Sequence, residues 1–396
     1  MLNFEKSEIY QKIKTVEPIC DQLQRLKDVY PEQKYLLLHA GPPFFNVKEI
    51  PEAVKNSFAI AIIFEGWAKN KTDALLMLEQ GKVSISPAQD YDVVVPLAGV
   101  ISPSMYLLRI ENTNNSQDKT YAVLNEGMQW CTRLGIFDEN VIEHLKWLHG
   151  ECADWLKMVI EHQPIALNSI LQESLRLGDD GHGRTNVASK LIADAIVDVA
   201  HKNQIGVPQK IHDFLYESLA FALNFWMAAA LLILKTGQYS MDKQLIVKAG
   251  GNGLRFGYAL SDQPQKWISV LAPEIKGNKE SQFAQELALG TIGDSAVVDI
   301  LGLGGQVLDI AKISAENLQA FLPQDYATRM DAFTLMPIDF LGQRSGLVDI
   351  AKVLQNKKAP LILLGMISQN GKHGRIGGGV ATLTEDVFKI LEEAYV

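Results

Sequence analysis

The sequence predicts an α/β (α+β) protein with two α/β domains and an all-helical middle subdomain. Short apolar runs typical of buried strands recur after residue 34 and again after residue 237. Between residues 139 and 235 the apolar positions instead keep a helical period. Helical segments also separate some of the early strand runs, which favours α/β layers over a sandwich. The expected domains are residues 1–138, with a leading helix, then 139–236 and 237–396.

The composition is that of a globular chain of two or three domains. Of its 396 residues, 47% are hydrophobic and 21% are charged. A net charge of −9 disfavours a nucleic-acid partner, because binding the phosphate backbone needs a basic surface. Three cysteines without a CxxC pair predict neither a disulfide framework nor structural zinc. With no recognisable signal peptide, we expect a cytoplasmic protein that has no metal or other cofactor.

Local patterns predict the elements of the N-terminal part. Apolar positions three or four residues apart predict an amphipathic helix within residues 1–30, and residues 71–80 predict a second helix. Continuous apolar runs predict buried strands at residues 36–39, 58–64, 93–95, 105–110 and 121–124.

The longest apolar segment, residues 219–234, predicts a helix buried at the centre of the helical subdomain. It has sixteen residues, whereas a membrane-spanning helix needs about 20. Asn224 also favours a protein interior. Beyond this helix, strand runs return at residues 244–249, 255–260, 266–270 and 360–367.

Two polar loops near the N-terminus are candidates for a binding site. His39 ends a predicted strand, at a position where open α/β sheets bind ligands, and Gly41 lets the backbone approach a ligand closely. The alternative for His39 is a buried histidine with a satisfied hydrogen bond. Glu65 ends the next apolar run and is either a functional acid or a charge at a helix N-terminus.

Two more polar segments follow predicted strands. The loop that contains Ser102 and Ser104 offers hydroxyls and backbone N–H groups to an anion, although loops contain such residues without any ligand. Asn125 and Glu126 follow the strand run 121–124. Several polar clusters after strands favour a shared site.

The densest polar cluster, GDDGHGRTN, lies between two apolar helices. Asp179 and His182 are suited to acid–base chemistry, and Arg184 is suited to bidentate binding of a carboxylate or phosphate. A metal site is the weaker interpretation, because one histidine and two adjacent carboxylates define no coordination geometry. A helix N-cap by Thr185 or Asn186 is the structural alternative.

Glycine-rich segments in the last third also fit a compact anion. One contains Asn252 and Arg255, and a second contains Asp294 and Ser295. A third contains Arg375, and its alternative interpretation is a flexible turn before a final helix. The absence of a phosphate-loop lysine, a dinucleotide fingerprint and a GxSxG elbow disfavours ATP, NAD and serine-nucleophile chemistry. The loops favour anion binding and electrostatic stabilisation of a transition state.

Eight ordered segments from about Lys34 to the C-terminus resemble one known family. They are LLHAGPP, EGWA, PLAGVISPSM, NEG, LGDDGHGRTN, NGLRFG, IGDSAVVDILGLGG and IGGG. The chain is similar to the AllG or YlbE-like family, which is associated with a subunit of oxamate carbamoyltransferase in anaerobic allantoin breakdown. The resemblance implies two α/β domains and a small helical one, together with FdrA-like and AllH-like protein partners. It differs at Gln89–Asp92, where the family carries a histidine cluster.

The resemblance also implies a reaction that converts oxalurate and phosphate to oxamate and carbamoyl phosphate, or its reverse. We therefore expect a carbamoyltransferase-like subunit that acts on a small carboxylate or amide with phosphate or carbamoyl phosphate. Proton transfer is expected from His39, Glu65, Asp179 and His182. The residues expected to bind substrate or anion are Gly41, Ser102, Ser104, Asn125, Glu126, Arg184, Asn186, Asn252, Arg255, Asp294, Ser295 and Arg375.

Two other functions compete with this expectation. One is a non-catalytic ligand-binding or scaffold subunit. The other is a divergent enzyme that forms or hydrolyses amide bonds, including a metal-dependent amidohydrolase. Neither a membrane nor a nucleic acid is an expected partner, and the apolar N-terminal helix indicates self-association.

Overall fold

The computed structural model describes residues 8–126, 129–240, 244–335 and 346–389, and it confirms the α/β class. The described α-helices, in chain order, are α1 (Glu8–Ile13), α2 (Leu26–Val29), α3 (Glu52–Phe64), α4 (Lys71–Glu79), α5 (Glu139–Trp147), α6 (Ala153–His162), α7 (Leu167–Arg176), α8 (Asn186–Lys202), α9 (Gln209–Glu217), α10 (Phe221–Lys235), α11 (Ala296–Ile300), α12 (Lys312–Leu318) and α13 (Ile350–Asn356). A π-helical turn, Leu148–Cys152, joins α5 to α6.

The described strands, in chain order, are β1 (Pro18–Arg25), β2 (Leu36–His39), β3 (Ser84–Pro87), β4 (Val93–Val94), β5 (Val100–Ile101), β6 (Tyr106–Asn112), β7 (Asn115–Val123), β8 (Ile165–Ala166), β9 (Ile246–Asn252), β10 (Arg255–Leu260), β11 (Gln263–Leu271), β12 (Lys276–Lys279), β13 (Ile292–Gly293), β14 (Leu361–Ile367) and β15 (Arg375–Thr382). Most of the predicted strand runs coincide with these elements.

These strands form four sheets. The largest has the order β4-β7-β6-β1-β8 and is antiparallel except where β4 pairs with β7. The sheet β3-β2-β5 pairs β2 in parallel with β3 and antiparallel to β5. Two antiparallel sheets, β11-β10-β9-β13 and β12-β15-β14, come from the last third of the chain.

Helix α10 is buried on nearly every side, as predicted. It packs against β6 and β7 of the five-stranded sheet and against α8, α11 and β9. A helix that is apolar all round needs such a covering on every face. Within the described residues, no single helix is long and apolar enough to cross a membrane. Helices α9 and α10 have the required length and apolar composition only when taken together, and a bend of 66° separates them.

The strand predicted at residues 58–64 is wrong, because these residues form the second half of α3. From Ala53 to Ile62 every residue of this helix except Lys55 is buried. An apolar run that is covered on all sides shows no helical period, so the pattern alone does not distinguish it from a strand. Glu65 therefore lies at the C-cap of a helix and does not end a strand. The favourable interaction of an acid with a helix N-terminus does not apply there.

The long helix predicted within residues 1–30 is also wrong. Helix α1 ends at Ile13, and Pro18 begins β1, a strand that pairs with both β6 and β8. A bulge between Cys20 and Gln22 shifts the register. Cys20 and Leu23 are consequently both buried although they are three residues apart. The bulge gives a strand the apolar spacing of a helix.

Two glycine-rich segments predicted as loops lie in strands. Gly250 and Gly251 belong to β9, and Gly377–Gly379 belong to β15. A methyl group at Gly377 or Gly379 would stand within 2.4 Å of the β12 backbone, so only glycine permits this approach. The predicted final helix begins as a short 3-10 turn at Glu385–Phe388, and residues 390–396 lie outside the described residues.

The largest hydrophobic core unites distant parts of the sequence. It contains Cys20 of β1, Ile192 of α8, Phe225 of α10 and Phe256 of β10. The helices therefore pack against strands from both ends of the chain. The boundaries at residues 138 and 236 stay predictions.

Candidate functional site

A buried ion pair between Glu126 and Arg133 lies beside the loop that follows β4. Arg133 Nη2 donates to Glu126 Oε1 over 2.7 Å, and 2% of the Glu126 side chain is exposed. The backbone also fixes Arg133, because Ala98 N donates to its carbonyl oxygen over 3.1 Å. Burial opposes the charge of Arg133, but Glu126 outweighs burial and raises the Arg133 pKa. Arg133 therefore keeps its positive charge although it is buried.

Arg375, at the start of β15, is a second cation in this place. Burial and the charge of Arg133 lower the pKa of Arg375. Methyl groups at Gly365 and Gly378 would stand 3.6 Å from Arg375 Nε and 3.2 Å from its Nη2, so glycines line the guanidinium. Arg375 is exposed and makes no hydrogen bond or ion pair with another described residue, although the charge of Glu280 acts on it and favours its charged form. An exposed guanidinium beside the charge of Arg133 is suited to binding an anion from solvent.

Unpartnered donors point to the same place. Asn125 is 2% exposed, and its carbonyl oxygen accepts from Asn224 Nδ2 of α10 over 2.6 Å. Its own Nδ2 and the Nε of Arg133 are buried and have no hydrogen-bond partner among the described residues. Buried donors without partners are rare in proteins and indicate a missing acceptor. We call Asn125, Glu126, Arg133, Gly365 and Arg375 the arginine cluster.

The loop that leads into α8 is ordered by its own carboxylates. Asp180 accepts from His182 N (2.7 Å), Arg184 N (3.1 Å) and Ser314 Oγ (2.6 Å). Asp179 Oδ2 accepts from Ala188 N over 2.8 Å and thereby caps α8. The N-cap bond predicted for Thr185 or Asn186 is absent from the described contacts.

Asp179 and Arg184 keep polar atoms without hydrogen bonds. Arg184 Nε lies 3.6 Å from Asp179 Oδ1, which is an ion pair but not a hydrogen bond. Both atoms are buried and have no hydrogen-bond partner in the described part of the chain. Burial raises the pKa of Asp179 to about 6. This carboxyl group therefore exchanges a proton near neutral pH.

His182 pairs with a carboxylate from another element. Its Nδ1 lies 2.5 Å from Asp299 Oδ2 of α11, and 4% of the histidine side chain is exposed. Asp299 Oδ1 accepts from Gly305 N over 2.8 Å and from Leu363 N over 3.2 Å. Burial opposes the charged form of His182, but Asp299 outweighs it and raises the His182 pKa.

Strand β14 brings the His182 loop and the arginine cluster together. A methyl group at Gly183 would stand 3.3 Å from Leu363 Cδ1. Gly365 lies two residues further along the strand, hence on the same face, and contacts Arg375. Two strand residues span roughly 7 Å. The His182 loop, through Gly183, and Arg375 thus both approach one face of β14.

A second polar centre joins the loop after β2 to β9. Asp294 accepts from Gly41 N (2.9 Å), Gln89 Nε2 (2.6 Å) and Val95 N (3.0 Å). A methyl group at Gly41 would stand 2.4 Å from the Gly251 carbonyl carbon. Burial raises the pKa of Asp294 to about 7. We call Gly41, Gln89, Gly250, Gly251 and Asp294 the glycine junction, whose interior is filled by protein.

His39 lies apart from the arginine cluster, in an aromatic environment. Its Nδ1 donates to the Ala40 carbonyl over 2.9 Å, and its ring packs against Phe44 and Phe58. Burial lowers the pKa of His39 to about 4. The imidazole is consequently neutral at physiological pH.

Glu65 is brought together with both predicted serines. Its Oε1 accepts from Ser102 Oγ (2.6 Å) and Ser104 N (2.7 Å), and its Oε2 accepts from Ser104 Oγ (2.9 Å). These bonds tie the end of α3 to the loop before β6. The hydroxyls predicted to bind an anion are donating to a protein carboxylate.

Four further predicted residues lie in a hairpin or at the start of a helix. Asn252 Oδ1 accepts from Arg255 N over 2.8 Å within the β9–β10 hairpin, and its Nδ2 donates to the Pro42 carbonyl. The Arg255 guanidinium lies 4.1 Å from the centre of the Phe45 ring. Ser295 precedes α11 and Asn186 begins α8, neither with a side-chain capping bond.

A family model described as "Oxamate carbamoyltransferase subunit AllG" matches residues 83–295, just over half of the chain. The chain belongs to this family. The predicted resemblance is therefore confirmed.

Relatives of the family member match along most of its length. The Escherichia coli (strain K12) protein "Oxamate carbamoyltransferase subunit AllG" is 29% identical over 375 residues, covering 90% of this chain and 88% of the relative. An uncharacterized protein, YahG, from the same strain is 26% identical over 360 residues and covers 87% and 75%. A crystal structure of a conserved Enterococcus faecalis V583 protein of unknown function has a TM-score of 0.88 at 25% identity, covering 96% and 94%.

Another part of this AllG family member is less suited to an anion. A groove of about 400 Å³ opens on the five-stranded sheet, and none of the predicted site residues lines it. Its basic groups are largely neutralised, since Lys235 pairs with Asp92 over 2.8 Å and Arg109 pairs with Asp21. Among the described residues, no group of three or more His, Cys, Asp or Glu side chains is placed to hold a metal ion.

Sequence reasoning missed Arg133 and Asp299. Asp299 had a signal, since it is a single acid within the apolar run AVVDILGLGG, and a buried aspartate usually has a partner. Arg133 had none, because it lies in a single 3-10 turn, Thr132–Leu134, with no apolar pattern around it. Its importance follows only from its ion pair with Glu126 and from the effect of its charge on Arg375.

Proposed function

We propose that this AllG family member is a carbamoyltransferase subunit that binds a small carboxylate or amide together with phosphate or carbamoyl phosphate. The observation that carries the proposal is the arginine cluster, in which the charges of Arg133 and Arg375 interact and two buried donors have no partner among the described residues. The coarser statement, a transferase subunit, is supported by the name of the Escherichia coli relative.

The cations have a direct use in such a reaction. A phosphate or carboxylate between Arg133 and Arg375 would receive charge-assisted hydrogen bonds, and Asn125 Nδ2 would donate to a further oxygen. Carbamoyl transfer places negative charge on oxygen in the transition state. Fixed donors stabilise that charge because they need no reorganisation.

His182 is the acid–base group that we assign to this reaction. When carbamoyl phosphate is consumed, the substrate nitrogen attacks the carbamoyl carbon and a C–N bond forms. The C–O bond to phosphate breaks, and phosphate leaves with the bonding electron pair. The attacking nitrogen loses one proton, which His182 Nε2 accepts. Asp179, with its pKa raised to about 6, is the second proton-exchanging group on the same loop.

The other predicted residues are given supporting roles in this proposal. Arg184 lies on the His182 loop and is the third cation available to substrate. Glu65, with Ser102 and Ser104, holds the loop that precedes β6. His39 and the glycine junction fix the loop after β2 against β9.

Partner proteins are part of the proposal. The Escherichia coli relative is named as a subunit, which supports assembly with other proteins. FdrA-like and AllH-like chains are the partners that we propose. The same name also favours a second function, in which this chain binds ligand and another subunit carries the catalytic groups.

Calorimetric titration tests the proposal. The full chain would be titrated with carbamoyl phosphate and with phosphate, each with and without oxamate, first alone and then assembled with the partner proteins. We expect carbamoyl phosphate to bind and its binding to tighten with oxamate. No binding in either preparation would contradict the proposal. The His182→Gln complex is then compared with the unsubstituted complex. If both bind ligand and only the unsubstituted complex transfers the carbamoyl group, the purely ligand-binding alternative is excluded.

A further inference from the structure

The His182–Asp299 contact has the geometry of an orienting pair. Nδ1 and Oδ2 are 2.5 Å apart, and both side chains are almost fully buried. Burial raises the pKa of Asp299 and the contact with His182 lowers it. An ionised Asp299 only accepts hydrogen bonds, so its contact with the ring places the imidazole proton on Nδ1. His182 Nε2 makes no hydrogen bond to any residue that the structure describes. The neutral ring therefore presents an unoccupied lone pair on Nε2.

The surroundings of Asp299 keep its carboxylate in one orientation. Its Oδ1 accepts from the backbone amides of Gly305 and Leu363, so Oδ2 is directed at the histidine. A methyl group at Gly304 would stand 2.3 Å from Asp299 Oδ1 and 3.0 Å from His182 Cβ. Only glycine fits there. The GLGG segment thus encloses the pair and also packs against β14, because a methyl group at Gly305 would stand 2.5 Å from the Leu361 carbonyl oxygen.

We propose that Asp299 is the positioning residue of His182, because it accepts from Nδ1–H and so holds the imidazole in the tautomer whose Nε2 takes up a proton. This inference rests on the role proposed for His182 in carbamoyl transfer. Asp299 itself touches no reacting atom. It acts through the ring, as a carboxylate does when it orients a general base.

Charge supports this arrangement. The ionisable groups that act on His182 are Asp299 and Asp180, and both favour the imidazolium. Asp180 is itself held by backbone amides and by Ser314. The histidine pKa therefore lies above its ordinary value, which strengthens Nε2 as a base.

A purely structural role for Asp299 makes a different prediction. β14 is an edge strand in the order β12-β15-β14, and Asp299 accepts from its Leu363 amide. Gln306 also hydrogen-bonds the backbone of this edge strand, since its Nε2 donates to the Leu361 carbonyl over 2.6 Å. If covering this edge were the whole function, removing either side chain would change stability and leave the histidine tautomer unchanged.

Nitrogen NMR on the full chain labelled with 15N-histidine distinguishes the two roles. The chain has eight histidines, and the spectrum of His182→Gln identifies the signals of His182. We expect the unsubstituted protein to carry the neutral proton on Nδ1. In Asp299→Asn the amide group donates to Nδ1, so the proton should move to Nε2 and the His182 pKa should fall. Gln306→Ala is the matched control, with lower stability and an unchanged tautomer.

Two results would overturn the inference: a neutral proton on Nε2 in the unsubstituted protein, or an unchanged tautomer in Asp299→Asn. The first does not depend on Asp299→Asn, so a folding failure of that variant leaves the test intact. In the assembled enzyme we expect Asp299→Asn to lower kcat about 100-fold or more with little change in KM. The acidic limb of its pH profile should move to lower pH. The expected NMR result in a complex that transfers no carbamoyl group would support the orienting pair and refute the proposed function.

Discussion

The glycine junction and the arginine cluster use the same kinds of residue for different ends. In the junction, the Asp294 carboxylate receives three hydrogen bonds, and Gly41 lets the backbone come within contact of β9. In the arginine cluster, donors of Asn125 and Arg133 are buried without a described partner, and Arg375 forms no ion pair with a described residue, although the charge of Glu280 acts on it. Among the described residues, the Asp294 carboxylate of the junction has its donors, whereas these donors of the cluster have no acceptor.

This difference shows how a glycine-containing loop after a strand should be interpreted. Both loops carry glycine, polar side chains and a titratable group, so residue types do not separate them. What separates them is whether each buried polar group already has a partner. The comparison predicts that substitutions in the junction change stability and that substitutions in the cluster change ligand binding.

The largest expected effect is steric and lies in the junction. Gly41 and Gly66 have nearly equal φ values, +73° and +75°, but a methyl group at Gly41 would meet the Gly251 carbonyl carbon at 2.4 Å. At Gly66 nothing lies within 4 Å. Gly66→Ala should cost about 1 kcal/mol for its backbone conformation. Gly41→Ala should cost about 3 kcal/mol or more because the clash is added. Denaturant unfolding measures both, and equal losses would contradict the described packing.

A smaller effect concerns the pH dependence of stability. Burial raises the Asp294 pKa to about 7, against about 3.9 in an unfolded chain. Between these values the folded state holds a proton that the unfolded state does not. The contribution of Asp294 is therefore complete at low pH and is lost as pH rises to about 7. From pH 5 to pH 7 the unsubstituted protein should lose roughly 2 kcal/mol more than Asp294→Asn.

Urea unfolding at several pH values measures this difference. Asp213→Asn is the control, because Asp213 is half exposed and lies on α9. Parallel pH profiles for Asp294→Asn and the unsubstituted protein would show that the junction tolerates a charged carboxylate.

The smallest effect belongs to the Glu65 contact. Ser104→Ala removes the hydroxyl that donates to Glu65 Oε2 but keeps the backbone donor to Oε1. The free energy of unfolding should fall by about 1 kcal/mol. Ser281→Ala, which alters an exposed contact at 3.5 Å, should change it by much less. If the two variants had equal stability, the hydroxyl would be available for a ligand, as the sequence predicted.

Much of the architecture was predictable from local patterns. The α/β class, the buried helix α10 and most strands follow from apolar period and run length. The errors share one physical cause, which is that tertiary packing changes the apolar spacing. Helix α3 lost its period because it is covered on every side. Strand β1 gained a false helical spacing from its bulge.

The candidate site was predictable only in part. The sequence drew attention to His182, Glu126 and Arg375 because polar residues stood out between apolar elements. It gave no means of pairing them with residues distant in the chain. Asp299 lies 117 positions from His182, and only the fold brings them together. The junction differs from the cluster in whether each buried polar group has a hydrogen-bond partner, and only the structure shows this.

The central claim is that the arginine cluster binds the anionic group of the substrate. Arg375→Gln tests it most directly, because this side chain has no described partner whose loss would unfold the protein. Arg176→Gln is the matched control, since that side chain is 67% exposed and pairs only with Glu173 in the described structure. In calorimetric titration with carbamoyl phosphate, we expect Arg375→Gln to weaken binding about tenfold or more. Arg176→Gln should bind like the unsubstituted protein. Unchanged affinity in a folded Arg375→Gln variant would contradict the account.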